Sequence, residues 1–443
     1  MTQKLVFMHL SDIHFQDRIS GGPFDVDKDL RDELESDAVR VKVQLGKVDA
    51  ILVTGDIAFS GKKDEYDTAH QWLGLLSGKL DCETSNVWVV PGNHDVDRTY
   101  FKKDGPLSDI HSAFRALENQ AHIDVKLKHY LEDQVYKQIM FAPVERYNEF
   151  AAKFGCDFHA TKPYCWESDF FKLNDGSQFQ LRGLNSTIIS DNTDNDKANK
   201  LVLGSMQTTL TRVSGLEYLT LCHHPPQWLI DGDNVESKLN KRARIQLFGH
   251  KHSQTATQID ETIRLTAGAV HPDRREGQWL PRYNFLEIWV TKEDNNRYLS
   301  VNVYSRVWDG DMFAPEVKSG KDFRGFKLKL PAWEGKANQT ESKPGRVGGG
   351  GETATERKYP STEMNVNPNR ILAYRFLSLP FHKRMQIAVT LELIEDNDNE
   401  LSDRELFEAV FRRADRRFLL GALWDLTQKA HSDSKYDKNP YLT

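Results

Sequence analysis

The chain has 443 residues, of which 39% are hydrophobic and 28% charged, with 23 Phe, 14 Tyr and 9 Trp. That is too rich in large apolar side chains for a disordered protein and enough to fill one large domain plus a smaller one. The formal charge of -6 weighs against a chain devoted to tracking duplex nucleic acid, and Cys82, Cys156, Cys165 and Cys222 form no C-x-x-C pair.

From Lys4 to about residue 330, short apolar runs (LVFMHL, AILVTG, VWVVPG, LRGLNST, YLTLCH, IQLFGH) alternate with longer amphipathic stretches. This rhythm predicts buried strands covered by helices. Residues 96–170 interrupt it with helical spacing and few breakers, which predicts a helical insertion over one face of the core. Residues 285–306 and 324–330 alternate as antiparallel strands do, and are expected to complete a second sheet packed on the first. Residues 333–368 are dominated by Gly, Ser, Thr, Pro and Lys and read as a flexible linker. Gly348 to Gly351 within it are not followed by Gly-Lys-Ser/Thr, so a phosphate-cradling loop is not expected. Residues 369–443 read as a separate helical domain, with Ser402 and Glu405 as a capping box. The acidic stretch 396–400 lacks the glycine and closing glutamate of a calcium loop, Leu401 and Phe407 standing there instead, so a polar turn is expected. The sequence shows no secretory apolar region of about 7–15 residues and no apolar run of about 18. With unpaired cysteines suited to a reducing compartment, a cytoplasmic protein without membrane partners is expected.

Five of the apolar runs end directly in side chains able to bind metal: Asp12 and His14, then Asp56, then Asn93, His94 and Asp95, then His223 and His224, then His250 and His252. Taken singly, D-x-H reads as a capped turn, G-D as turn chemistry and H-H-P-P as a strand stop. Together, each at a strand end, they point to a crevice where loops converge. Two divalent cations about 3.5–4 Å apart need a bridging carboxylate and several neutral donors, and aspartates, an asparagine and imidazoles supply that mixture.

The ordered set D-x-H, G-D, G-N-H-D, H-x-P-P-like and G-H-x-H resembles the calcineurin-like metallophosphoesterase superfamily over roughly residues 4–330. The resemblance implies an α/β fold, a four-layer α/β/β/α sandwich, with the helical insertion and the small all-α C-terminal domain as additions. It implies a hydrolase with two divalent metal ions, Asp12, His14, Asp56 and His252 holding one, and Asp56, Asn93, His223 and His250 the other. His94 becomes the catalytic acid or phosphate-orienting group, and Asp95 the partner that fixes its ring. His223 is favoured over His224 as the ligand because it directly ends the strand. Manganese or an iron–manganese pair suits the oxygen and imidazole donors, with zinc or nickel as alternatives. The motif forms resemble the phosphodiesterase branch, so the expected substrate is a phosphodiester such as a cyclic nucleotide, cleaved by metal-activated hydroxide.

Arg274, Arg275 and Arg282 are candidates for a second phosphate contact, weighed against a solvated basic loop. A metal-dependent nuclease competes with this reading, the basic cluster 238–244 contacting a phosphate backbone. The C-terminal helices resemble the adaptor domains of bacterial conflict and signalling proteins. That implies a protein partner, with the enzyme as effector arm of a defence or signalling assembly.

Overall fold

The computed structural model describes residues 3–16, 25, 27–101, 105–158, 165–194, 200–251, 254–272, 280–318, 320–333, 367–395, 397–398, 401–431 and 438–442. In chain order its strands are β1 (Leu5–Leu10), β2 (Ala50–Val53), β3 (Val87–Val89), β4 (Cys165–Lys172), β5 (Gln178–Leu184), β6 (Leu216–Cys222), β7 (Ala243–Phe248), β8 (Thr255–Ile259), β9 (Thr262–Thr266), β10 (Arg282–Glu293), β11 (Asn296–Trp308), β12 (Phe313–Pro315) and β13 (Arg324–Leu330). Its helices are α1 (Lys28–Leu45), α2 (Lys63–Lys79), α3 (Pro106–Arg115), α4 (Gln120–Glu132), α5 (Gln134–Phe141), α6 (Glu145–Ala152), α7 (Ser205–Thr208), α8 (Gly232–Arg242), α9 (Pro368–Ser378), α10 (Phe381–Thr390), α11 (Asp403–Arg416) and α12 (Leu420–His431).

Two mixed sheets result. The first runs β12-β11-β10-β1-β2-β3, with β13 also paired to β11, and the second runs β4-β5-β6-β7-β9-β8. β1, β2 and β3 are parallel and buried at every residue, as continuous apolar runs in a covered sheet should be. In the second sheet β5, β6, β7 and β9 are parallel, with antiparallel strands at both edges. Alternation along β6 and β7 sends Leu219, Leu221, Ile245 and Leu247 into the main core between the sheets. Tyr218, Cys222 and Phe248 on the opposite faces enter a second core under α8 and the insertion helices α3 to α5, joined by Ala243, which the register shift between Tyr218 and Leu219 turns the same way. Across the main core, the Phe7 ring meets Phe171 edge-on at 5.2 Å and Phe179 at 6.4 Å.

Two expectations are corrected. The late antiparallel strands do not build the second sheet: β10 pairs with β1 and extends the first one. The β10–β11 turn is Asp294-Asn295, both at positive φ (46° and 61°), the two-residue geometry that matches strand twist. The insertion also ends earlier than 170, because Cys165–Lys172 is the edge strand β4, and its helix α6 packs against α2 rather than with α3 to α5. The polar segment 334–366 lies outside the described residues.

The C-terminal helices have their own core, centred on Leu372, Phe376, Phe407, Val410, Leu423 and Trp424. The Ser402–Glu405 capping box forms as expected. Asp398 closes the turn before α11 by pairing with Arg413 at 2.5 and 2.7 Å. These helices dock on the first sheet at its edge strand β3. Arg370 places its guanidinium 3.5 Å from the Trp88 ring centroid and donates to the carbonyls of Ser85 (2.8 Å) and Val87 (3.3 Å). It thereby covers backbone groups that an edge would leave open.

His70 lies in the same seam, against Tyr374 (5.4 Å) and Phe154 (5.9 Å), with Ser378 Oγ at 3.4 Å. Burial, aided by Lys153, lowers its pKa from the ordinary 6.5 to about 3. The docked form therefore excludes a proton that the undocked form takes up. Its contribution to docking is complete above pH 6.5 and is lost as pH falls towards 3. The protection factors of the α9 amides, taken relative to the intrinsic exchange rate at each pH, should fall in that window, and a His70→Gln chain should lose this pH dependence.

Candidate metal centre

Because β1, β2 and β3 are parallel, their carboxyl ends lie side by side, and those of β6 and β7 face them from the second sheet. The chain closes the gap directly: Val270 N donates to Ser11 O and His271 N to Asp12 O, both at 3.0 Å. Of the candidate ligands, Asp12, His14, Asp56 and His250 have φ of 52°, 54°, 52° and 68°. A left-handed backbone costs a residue with a Cβ roughly 1 kcal/mol or more, and such strain collects where geometry serves a site.

Two glycines show how tight the convergence is. Gly55 has φ +92°, and a Cβ there would stand 2.6 Å from His223 Nδ1. Gly92 has ordinary extended dihedrals, yet a Cβ would fall 2.1 Å from Asp56 Oδ1. Space alone demands that glycine. Gly92→Ala should push the Asp56 carboxylate aside and weaken manganese binding by about 10- to 100-fold, as read by calorimetric titration.

The side chains form two foci. Asp56 Oδ2 lies 3.3 Å from His14 Nε2 and 3.4 Å from His223 Nε2. Asn93 Oδ1 lies 3.1 Å from His223 Nε2, 3.2 Å from His224 Nε2 and 3.1 Å from His250 Nδ1. Among the described residues, three groupings have donor atoms close enough to hold an ion: His223, His224 and His250; His14, Asp56 and His94; and Asp12, Asp56 and His223. Metal–donor bonds of about 2.0–2.2 Å at tetrahedral or octahedral angles put neighbouring donors about 3.0–3.5 Å apart. The spacings at both foci match, so the residues present fit divalent cations.

Backbone carbonyls set the rings. Nδ1–H of His223 donates to Thr54 O (2.7 Å), that of His14 to His271 O (3.2 Å) and that of His94 to Phe59 O (2.8 Å), turning Nε2 of each away from the backbone. His224 Nδ1 meets Ser186 Oγ at 2.8 Å. Both adjacent histidines thus reach Asn93, but only His223 also reaches Asp56.

The charges are coupled. Burial opposes ionisation of Asp56, yet the imidazoles of His223 and His94 and the contacts from His14 outweigh it and hold the carboxyl well below its usual range. Burial likewise opposes charge on His223, and Asp56 overrides it, lifting the pKa to about 9. Burial lowers His94, and burial with the charges of His250 and His223 lowers His224 well below the ordinary value. A buried carboxylate needs a positive partner. Protonated His223 meets that need here, and a divalent cation would meet it equally.

Asp95 departs from its expected role. Its carboxylate does not touch the His94 ring. It accepts from the backbone of Ala58 (2.9 Å), Ile57 (3.2 Å) and Gly92 (2.9 Å) and from the Tyr66 hydroxyl (3.0 Å). Following His94 by one residue placed it in the loop, but its direction is set by three amide donors that leave no trace in residue type. Burial, then the nearby Asp56, raises it to about 7. Arg282 bonds Glu316 at 2.8 Å, and Arg274 and Arg275 lie outside the described residues, as does His252. The basic cluster sits at the other end of the sheet. The six residues of β7 at about 3.3 Å each separate Arg242 from the site by about 20 Å, and Arg244 pairs with Glu217.

Two aromatic side chains also border the foci, Phe59 and, at the head of the segment 228–234 that follows H-H-P-P, Trp228. Phe59 packs on His94 (5.3 Å) and His14 (6.0 Å), and Trp228 on His250 (4.2 Å). Their places beside the motifs G-D and H-H-P-P were the available signal.

A Bacillus subtilis (strain 168) protein described as the uncharacterized metallophosphoesterase-like protein YydB is 34% identical over 99 residues, 21% of this chain and 18% of that protein's length. Among solved structures, a conserved uncharacterized protein of Streptococcus pneumoniae TIGR4 aligns at 11% identity over 74% of this chain and 100% of its own, with a TM-score of 0.27. GAP50 of Plasmodium, described as the anchor in the inner membrane complex, aligns at 10% identity over 74% of this chain and 90% of its own, with a TM-score of 0.35. Residues 368–429 match the GTPase-associated adaptor domain, and residues 5–254 match the model of calcineurin-like phosphoesterases. The chain therefore belongs to the calcineurin-like phosphoesterase family and carries a C-terminal GTPase-associated adaptor domain.

Proposed function

We propose that the chain is a two-metal phosphodiesterase acting on a small phosphodiester such as a cyclic nucleotide. The observation that carries this reading is the pair of donor foci, around Asp56 Oδ2 and Asn93 Oδ1, with His223 common to both. Asp12, His14 and Asp56, with His252, would hold one cation, and Asp56, Asn93, His223 and His250 the other. When bound, the two cations supply a water of lowered pKa and neutralise charge on the phosphoryl oxygens. The mixed oxygen and imidazole donors suit manganese or iron, and accept zinc or nickel.

The chain's own groups do the rest. His94 gives its Nδ1–H to Phe59 O, so Nε2 is the nitrogen left to face substrate. In the substrate-free protein the lowered pKa keeps this ring neutral. An arriving phosphate anion favours its protonated form, which then places a proton on the leaving oxygen. The carbonyls of Thr54 and His271 keep the ligand rings from turning, so the site needs little reorganisation. The adaptor domain offers a surface for a protein partner. No helix among the described residues is long and apolar enough to cross a membrane.

Hydrolysis of bis-p-nitrophenyl phosphate against p-nitrophenyl phosphate, with and without manganese, tests this. Manganese-dependent cleavage with the diester preferred by about tenfold or more is the expected result. Preference for the monoester, or hydrolysis indifferent to added manganese and to chelation, would overturn it.

A further inference from the structure

The two foci are flanked by aromatic rings that neither hold the fold together nor reach a metal position. Phe59 stands at the end marked by His14 and His94, with 45% of its surface exposed and its ring tilted 37° against His94. Trp228 stands at the other end, half-buried, its ring edge-to-face with His250 at 4.2 Å and beside His224 at 6.3 Å. Trp228 is also firmly placed. Its backbone N–H donates to Pro225 O, and its carbonyl accepts from Lys200 N and Leu201 N at 3.1 and 3.0 Å. The Pro225-Pro226 pair before it has little freedom. A half-exposed indole on a fixed backbone, against the imidazole of a metal-ligand candidate, is a platform for a flat, unsaturated ring, and Phe59 offers a second wall across the centre.

We propose that Trp228, with Phe59, is the specificity-determining element of the site and selects phosphodiesters that carry a nucleobase over those that carry only alkyl or glycerol groups. This rests on the phosphodiesterase reading and adds what the metal ligands cannot supply, because they see only the phosphate. Stacking on one ring suffices for about a 10- to 100-fold preference. It is tolerant of base identity, since every base presents a π-face, so purine and pyrimidine substrates should differ little.

The test compares two diesters with the same leaving group, thymidine 5′-(p-nitrophenyl phosphate) and methyl p-nitrophenyl phosphate, on the full chain loaded with manganese. The wild type should favour the thymidine ester by at least about tenfold in kcat/KM. The ratio should fall towards unity in Trp228→Ala, stay above it in Trp228→Phe, and decline partly in Phe59→Ala. Calorimetric binding of thymidine 5′-monophosphate against inorganic phosphate gives an independent readout, with the same loss in Trp228→Ala. Equal kcat/KM for the two esters in the wild type, or an unchanged ratio in Trp228→Ala, overturns the aromatic selection and leaves the phosphodiesterase standing. Failure of the manganese-loaded wild type to cleave either ester overturns the phosphodiesterase reading, and the selection with it.

Discussion

Asp56→Asn is expected to bind at most one of the two metal equivalents and to lose turnover by about 1,000-fold or more. Asparagine is the informative replacement for two reasons. Asp56 sits at φ 52°, a conformation that asparagine tolerates and alanine resists. Its Oδ1 also accepts the His94 backbone N–H at 2.8 Å, an acceptor that the amide oxygen preserves. The fold should therefore survive. The substitution removes only the charge, and with it the reason for His223 to hold a proton at neutral pH. The metal-free variant should still fold but unfold at a lower temperature than the metal-free wild type at neutral pH, because the substitution removes one partner of a buried charge pair that the folded state favours. Metal analysis after gel filtration, thermal scans and the diester assay read these out together. Two retained metal equivalents, or wild-type turnover, would show that Asp56 is not the shared ligand.

His94→Ala should behave in the opposite way, keeping both metal equivalents while kcat falls by about 100- to 10,000-fold. His94 contributes a ring 4.7 Å from that of His14 at the rim of the Asp56 focus, and its Nδ1 is committed to Phe59 O, which leaves the six other donors to hold the cations. The fall should depend on the leaving group. p-Nitrophenolate departs without a proton, so its ester should lose least, and an alkyl ester most. Equal losses on both would make His94 an orienting group for phosphate rather than its acid. Full activity on the alkyl ester would remove it from the mechanism.

The site was legible in the sequence to the extent that chemistry sits at strand ends. Asp12, His14, Asp56, Asn93, His223 and His250 are each two to four residues past a buried strand or directly after it, and the structure gathers them. Parallel strands make this readable, because their carboxyl ends share one edge whatever the rest of the chain does. The orientation of the rings was not legible. Thr54, Phe59 and His271 act through carbonyl oxygens, which every residue has, so no residue type announces them. Asp95 shows the cost: adjacency to His94 suggested a partner, but three amides claim its carboxylate.

By itself the sequence determined the buried strands, the donor set at their ends, the capping box of α11 and the helical character of the C-terminal region. These follow from local periodicity and residue chemistry within a few neighbours. Only the tertiary structure decided that β10 and β11 extend the first sheet beside β1, that His223 reaches both foci while His224 reaches one, and that Arg370 fastens the adaptor helices over Trp88. Each of these joins residues far apart in sequence, as Arg370 and Val87 are, with a separation of 283. Such pairings depend on which surfaces remain open after the core has formed, and no local pattern encodes that.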